Sequence, residues 1–205
     1  KQLAVQYERQ RISAEMHDDI GAGLSGIRLM TEMAKMKSKD DETGSEIEKI
    51  YNSVGDISSK MKEVIWSLNT ENDSLGNLLS YLQKQARQMM ENYPGSFTIT
   101  IPEQIPDIKI GGETRRHIYL TVKEALHNII KHSGADKINL VIACAGKLII
   151  KVSDNGKGMN TGDSSNSGNG LKNMRNRMEQ IGGNFSVENN QGLTLIFEIP
   201  LKPAL

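Results

Sequence analysis

The chain has 205 residues and a mass of 22.7 kDa, enough for one large domain or two modest ones. Lys plus Arg and Asp plus Glu number 25 each, so no global basic footprint points to nucleic acid, and aromatics at 4% leave little for base stacking. The single cysteine, Cys144 in Val141-Ile142-Ala143-Cys144, can form neither an internal disulfide nor a zinc cage; it reads as a buried small hydrophobe suited to a reducing cytosol.

No apolar run is long enough to span a bilayer, and no secretory signal is present. The chain opens inside a helical pattern, Lys1-Gln2-Leu3-Ala4-Val5-Gln6, without an initiator Met, which leads us to expect a piece of a longer protein. A first helix is expected from Lys1 to about Lys37. Ile12, Met16, Ile20, Gly23, Ile27, Met30 and Ala34 recur in it at steps of four and three, the seam of a coiled-coil-like bundle. Gly21, Gly23 and Gly26 each cost about 1 kcal/mol against Ala in a helix interior, which we read as close packing on a neighbouring helix. His17 follows the seam residue Met16 and lies about 100° round the helix, on the shoulder of the stripe. A solvated surface histidine would look the same; the sharper reading is a nucleophile whose second ring nitrogen donates to the adjacent Asp18.

Ser38 to Gly44 reads as a polar turn, with Ser45/Glu48 or Thr43/Glu46 as a capping box. The second helix carries Ile47, Ile50, Val54, Ile57, Met61, Val64 and Leu68, alternating three and four. Two helices joined by a short turn form a hairpin with too little core to stand alone, so a homodimeric four-helix bundle is expected through residues 1–71.

Polar residues from Asn69 to Ser74 break the heptad, placing a boundary near Asn72, with a second domain over 72–205. Leu75, Leu78, Leu79, Leu82, Ala86 and Met89 mark a third helix that Tyr93-Pro94-Gly95 ends. Phe97, Ile99 and Ile101 alternate as a strand, and Ile105 to Ile110 is a candidate for another. A long helix is expected over Thr114–His132 with Ile118, Val122, Ala125, Leu126 and Ile129 inward. Strands follow at Lys137–Ala143 and Lys147–Ser153, then a glycine- and serine-rich loop over Asn155–Asn169. A helix over Leu171–Ile181 and a hairpin pairing Asn184–Glu188 with Leu193–Pro200 complete the chain. The order implies an α+β layer, helices on one face of a mixed sheet.

Three stretches of this second part carry chemistry. Glu124, Asn128 and Lys131 fall at i, i+4 and i+7, an acid, an amide and an ammonium that can position a hard cation and steady a phosphate, although a solvated Glu–Lys face is the commoner cause. Asp154-Asn155-Gly156-Lys157-Gly158 puts a carboxylate at a strand end before two glycines, letting backbone approach a flat ligand; a plain turn would look much alike. Gly168-Asn169-Gly170-Leu171 opens a helix whose free N–H groups and dipole favour phosphate, and a lone G-x-G is unspecific.

In this order and spacing the three stretches resemble the N, G1 and G2 boxes of the GHKL (Bergerat) ATPase fold shared by gyrase, Hsp90, MutL and histidine kinases. With the His17 helix upstream, the chain resembles, over nearly all its length, the transmitter core of a bacterial two-component sensor histidine kinase. Glu8-Arg9-Gln10-Arg11-Ile12 through His17-Asp18, and Ile65-Trp66-Ser67-Leu68-Asn69, are similar to the nitrate/nitrite-sensor subfamily. The resemblance implies ATP and Mg²⁺ as cofactors, His17 as phosphoacceptor, Asp18 as its partner or general base, and phosphoryl transfer onward to an aspartate of a response regulator receiver domain. It implies Asn128 as Mg²⁺ ligand, Glu124 orienting the metal shell or a water, and Lys131 on phosphate. Asp154 would hold the adenine amino group with Gly156 and Gly158 admitting the base. Gly168, Gly170 and Leu171 would line the triphosphate, and Met159–Ser167 would be the ATP lid. Contact with a membrane is expected only through a sensor region outside this chain.

Two features depart from the pattern. The subfamily's glutamine five residues after the histidine is here Ala22, which cannot orient a water, so weak or absent phosphatase activity is expected. His127 and His132 flank the metal-binding amide, yet neither is expected to bind metal: one faces away, and His132 is expected to cap the helix end. The competing functions are a dimeric nucleotide-binding scaffold without phosphotransfer and a serine kinase or chaperone-type ATPase on the same fold. Glu124, Asn128 and Asp154 argue against the scaffold, and the His-Asp hairpin argues against the serine kinase and chaperone-type ATPase.

Overall fold

The computed structural model describes residues 2–16, 20–37, 41–159, 169–189 and 191–201. The chain forms two compact units, Lys1–Asn72 and Asp73–Leu205.

The first unit is helical: α1 (Gln2–Glu15), α2 (Gly21–Lys37) and α3 (Asp41–Leu68), followed by a 3₁₀ turn over Thr70–Asn72. α3 begins at Asp41, earlier than the expected turn allows, so Thr43, Gly44 and Ser45 lie within it and neither capping box marks its start. Glu42 sits in its first turn, where a carboxylate complements the free N–H groups and the dipole. α2 and α3 are stitched by Lys35 Nζ to Glu48 Oε2 at 2.9 Å and by Arg28 Nη2 donating to Tyr51 Oη at 2.5 Å. α1 lies along the far end of α3, where Arg9 Nη2 donates to Ser67 O at 3.0 Å and supplies a cation to the helix C-terminus.

The seam divides. Val54 and Met61 are buried, whereas Ile20 just before α2, Ile27 and Met30 of α2, and Ile50 and Ile57 of α3 are exposed. The glycine expectation is corrected in part: a Cβ on Gly21 would meet Met61 Cε at 3.7 Å, but Gly23 and Gly26 have nothing within 4 Å. The two lie off the face that packs on α3. Among the described residues no helix is long and apolar enough to cross a membrane.

The second unit runs α4 (Leu75–Met90), β1 (Ser96–Thr100), α5 (Gly112–Asn128), a π turn over Ile129–Ser133, β2 (Lys137–Cys144), β3 (Lys147–Asp154), α6 (Asn169–Gln180), β4 (Asn184–Asn189) and β5 (Leu193–Pro200). The five strands form one sheet in the order β1-β2-β3-β5-β4, with β1 parallel to β2 and the other pairs antiparallel. Period-2 alternation sends Ile138, Leu140 and Ile142, then Leu148, Ile150 and Val152, then Leu195, Phe197 and Ile199 to the covered face. α5 and α6 pack on that face, and α4 packs on α5.

Ser74 caps α4 by accepting from Asn77 N at 3.1 Å, and its buried stripe closes with Met90 rather than Met89. Ile105–Ile110 is not a strand. Pro102 and Pro106 remove ladder donors there, and the segment pairs irregularly instead, with Leu75 N donating to Ile108 O at 2.9 Å and Ile110 N to Asp73 O at 3.4 Å. Arg115, fully buried, pins this entry by bonding Asp73 Oδ1 at 2.7 Å and Ile110 O at 3.3 Å. Cys144 is half-buried rather than buried, and burial pushes its thiol up.

Candidate functional site

The site grows from the end of β3. Asp154 pairs with Ile138, and strand alternation turns its side chain to the covered face after Val152, where it is 8% exposed. Its Oδ1 accepts from Gly156 N at 2.8 Å. Its Oδ2 is buried with no hydrogen-bond partner, a costly state for a carboxylate oxygen unless a ligand donor meets it. Gly156 is required here by close approach, because a Cβ would collide with the Ser133 carbonyl. That same carbonyl accepts from Lys157 N at 3.1 Å. Asn155 ties the loop on the other side: its Oδ1 accepts from Asp136 N at 3.1 Å and Lys137 N at 2.9 Å.

A second group of residues comes from the flank of α5. Glu124 and Asn128 stand one turn apart, and the start of α6 is laid against them. A Cβ on Gly170 would lie 2.6 Å from Glu124 Oε1 and 3.2 Å from Asn128 Nδ2. The acid-amide pair and the opening of α6 are therefore brought together, with Leu171 half-buried beside them. Lys131 sits exposed in the π turn that follows α5. The helix end expected to be capped by His132 is closed instead by Ser133, whose hydroxyl donates to Ile129 O at 2.8 Å and accepts from Ala135 N at 3.0 Å, and by Gly134 at φ 62°.

His127 and His132 are both exposed. Among the described residues no group of three or more His, Cys, Asp or Glu converges on a metal position. A Mg²⁺ ion held by one amide and by a ligand's phosphates needs no such group, so the Glu124–Asn128 pair fits it. On the same flank of α5, Thr121 Oγ1 and His117 Nδ1 are also buried without a partner. Burial holds the His117 imidazole below its usual range, opposed by Glu113 at 3.9 Å and reinforced by Arg177 and Arg116.

His17, Asp18, Gly168 and nearly all of the expected lid, Met159 excepted, lie outside the described residues. The structure adds Ser133, Asn155 and Asn189 to the site. Asn155-Gly156 is a turn-forming pair that could have flagged Asn155. Asn189 bonds Met159 from 30 positions away, so nothing local marks it.

A family model described as histidine kinase-, DNA gyrase B-, and HSP90-like ATPase matches residues 113–203. Another, described as histidine kinase, matches residues 8–74. The chain is 28% identical over 210 residues to the sensor histidine kinase LiaS of Bacillus subtilis, covering 99% of this chain and 57% of that protein. It is 24% identical over 184 residues to the sensor protein VraS of Staphylococcus aureus, covering 89% and 52%. The chain thus spans little more than half the length of these curated relatives. Among solved structures, the histidine kinase domain from the Erythrobacter litoralis blue-light activated histidine kinase superposes with a TM-score of 0.59 at 18% identity, covering 88% of this chain and 94% of that one. Full-length ShkA in complex with AMPPNP gives 0.58 at 18% identity, covering 97% and 46%. At such identities these likenesses speak for the fold.

Proposed function

Because the chain belongs to the sensor histidine kinases, by a helical histidine-kinase module followed by a gyrase- and Hsp90-like ATPase module, we propose that it phosphorylates its own His17 from ATP and passes the phosphoryl group to a response regulator aspartate. A neutral His17 ring nitrogen attacks the γ-phosphorus in line, the bond to the β–γ bridging oxygen breaks, and ADP leaves. Asp18 accepts the proton-bearing nitrogen's hydrogen bond and fixes the tautomer. The regulator's aspartate then takes the phosphoryl group from nitrogen to a carboxylate oxygen.

The observation that carries the nucleotide half is Asp154 Oδ2, buried and unpartnered beside a glycine that no side chain could replace. A carboxylate acceptor so placed fits an exocyclic amino group, as adenine presents. Gly170 and Leu171 at the start of α6, with Gly168 before them, would receive the phosphates. Asn128, with Glu124 beside it, would hold Mg²⁺, which when bound neutralises phosphate charge and orients the γ-group. Lys131 is free to reach a phosphate from the π turn. Residues 1–71 would serve as dimerisation and phosphoacceptor hairpin and 72–205 as the ATP-binding domain. Homodimerisation is supported by the exposed Ile20, Ile27, Met30, Ile50 and Ile57, half of a seam whose other half is covered.

Incubation with γ-labelled ATP and Mg²⁺, beside a His17→Gln variant, tests the reading. Label that survives alkali, is lost in acid and is absent from the variant is the expected result. Acid-stable label that persists in the variant would mean serine or threonine phosphorylation and would sink the role of His17.

A further inference from the structure

We propose that Asn189 is a positioning residue for the nucleotide base, holding Gly158 and Met159 in place beside Asp154. The inference rests on the nucleotide-binding reading above and goes beyond the motif residues that reading uses.

After Asp154 the chain leaves the sheet without secondary structure of its own, so the loop's shape depends on its ties. Asn155 ties it to the start of β2, and Lys157 N ties it to Ser133 O. The last tie is Asn189, the closing residue of β4, which pairs with Leu193 across the hairpin. Its amide bonds one residue twice: Oδ1 accepts from Met159 N at 3.1 Å and Nδ2 donates to Met159 O at 2.7 Å. A side-chain amide meeting both backbone groups of one residue imitates a rung of a β-ladder and fixes the peptide planes on either side.

Gly158 and Asn189 are matched. Gly158 has φ 66°, and a Cβ there would collide with Asn189 Oδ1. Three residues beyond the end of β4, Gly192 packs on the backbone carbonyl of Asp154 so closely that it too has no room for a Cβ. The β4–β5 hairpin end is therefore the floor on which both the base-reading carboxylate and the glycine loop rest. Asn189 is exposed, so its two bonds contribute little to the fold and act mainly on the loop's preorganisation for a ligand.

The test is titration of the full chain with Mg²⁺–ADP, alongside thermal unfolding, for wild type, Asn189→Ala, Asn189→Asp, Gly158→Ala and the double Gly158→Ala/Asn189→Ala. Losing two exposed hydrogen bonds that hold the loop should raise Kd about tenfold in Asn189→Ala with little change in Tm. Asn189→Asp keeps the acceptor for Met159 N but faces Met159 O with another acceptor, so it should not restore affinity. Gly158→Ala should cost less in the Asn189→Ala background than in wild type, because the clash is with that side chain. Unchanged affinity in Asn189→Ala, or additive losses in the double variant, would overturn the role of Asn189 while leaving nucleotide binding intact. A wild-type chain that binds no nucleotide would instead overturn the reading on which the proposal rests.

Discussion

From Asp73 onward the residues that periodicity turns inward are covered: Leu75, Leu78 and Leu79 on α4, Ile118 and Val122 on α5, Leu148, Ile150 and Phe197 on the sheet are all at or near zero exposure. In Lys1–Asn72 the same regularity of pattern leaves Val54 and Met61 as the buried apolar side chains among the described residues, while Ile20, Ile27, Met30, Ile50 and Ile57 face out. The heptads of α2 and α3 are no weaker than the pattern of α5. What differs is that three helices on a five-stranded sheet enclose a core within one chain, whereas a helical hairpin presents half of one. Covering each exposed seam residue is worth about 1.5–3 kcal/mol as an upper estimate, enough in sum to drive association. One unit is finished by folding, and on the proposed reading the other is finished by a second copy.

The contrast can be broken most forcefully at the seam. Ile57→Asp should place a carboxylate in the proposed dimer interface, raise the dimer Kd at least about 100-fold and unfold the helical unit at micromolar concentration, seen by sedimentation and circular dichroism. A dimer of unchanged affinity would mean that the exposed heptad face is not the interface. The second unit should fail differently, from within. Asp73→Ala removes a carboxylate from the fully buried Arg115 and should destabilise 73–205 by about 3 kcal/mol. Trp66, the chain's one tryptophan, lies on α3, so its fluorescence should report an unaltered transition for the helical unit while far-ultraviolet melting of the remainder shifts down. Parallel shifts in both signals would show that the two units do not melt separately.

The smallest effect sharpens the comparison by pH. Burial lowers the His117 pKa, so between that value and the unfolded value of about 6.5 the unfolded chain binds more protons than the folded one. The second unit's stability is then full above pH 6.5 and declines as pH falls through the folded value. Glu113, which faces the ring at 3.9 Å, works against the shift, and Arg116 and Arg177 work with it. His117→Asn should flatten this slope by less than about 1 kcal/mol between pH 7.5 and 5.5, read from urea midpoints, and leave the Trp66 transition alone. A variant with the wild-type slope would assign the acid sensitivity elsewhere.

Much of this was legible in the residues. Alternation in Lys137–Ala143 and Lys147–Ser153 located β2 and β3 almost to their ends, since strands with one covered face write their period into the sequence. Glu124, Asn128 and Gly170 are brought together on the flank of α5, and Asp154, Gly156 and Gly158 gather at the end of β3. The expected α-helical period gives way to a π turn over Ile129–Ser133, and nothing in Ile-Ile-Lys-His-Ser announces it. The expected start of α3 rests on two capping-box spacings, whereas the helix begins at Asp41, before both. Ile105–Ile110 has a strand's apolar content, but its pairing is decided by Pro106 and by where α4 begins. Asn189 was invisible for a different reason: its partner is chosen by the sheet order β3-β5-β4, a long-range fact that no local window contains.

On the proposed reading Asp154 is a preformed acceptor for an adenine amino group. The direct measurement is the ratio of Kd for GTP to Kd for ATP, both with Mg²⁺, in wild type and in Asp154→Asn. A carboxylate that can only accept should favour ATP over GTP by about 100-fold or more, since guanine would set a carbonyl against it, and the isosteric amide should collapse that ratio towards one. A wild-type chain that binds both nucleotides equally, or a variant that keeps the discrimination, would contradict the account.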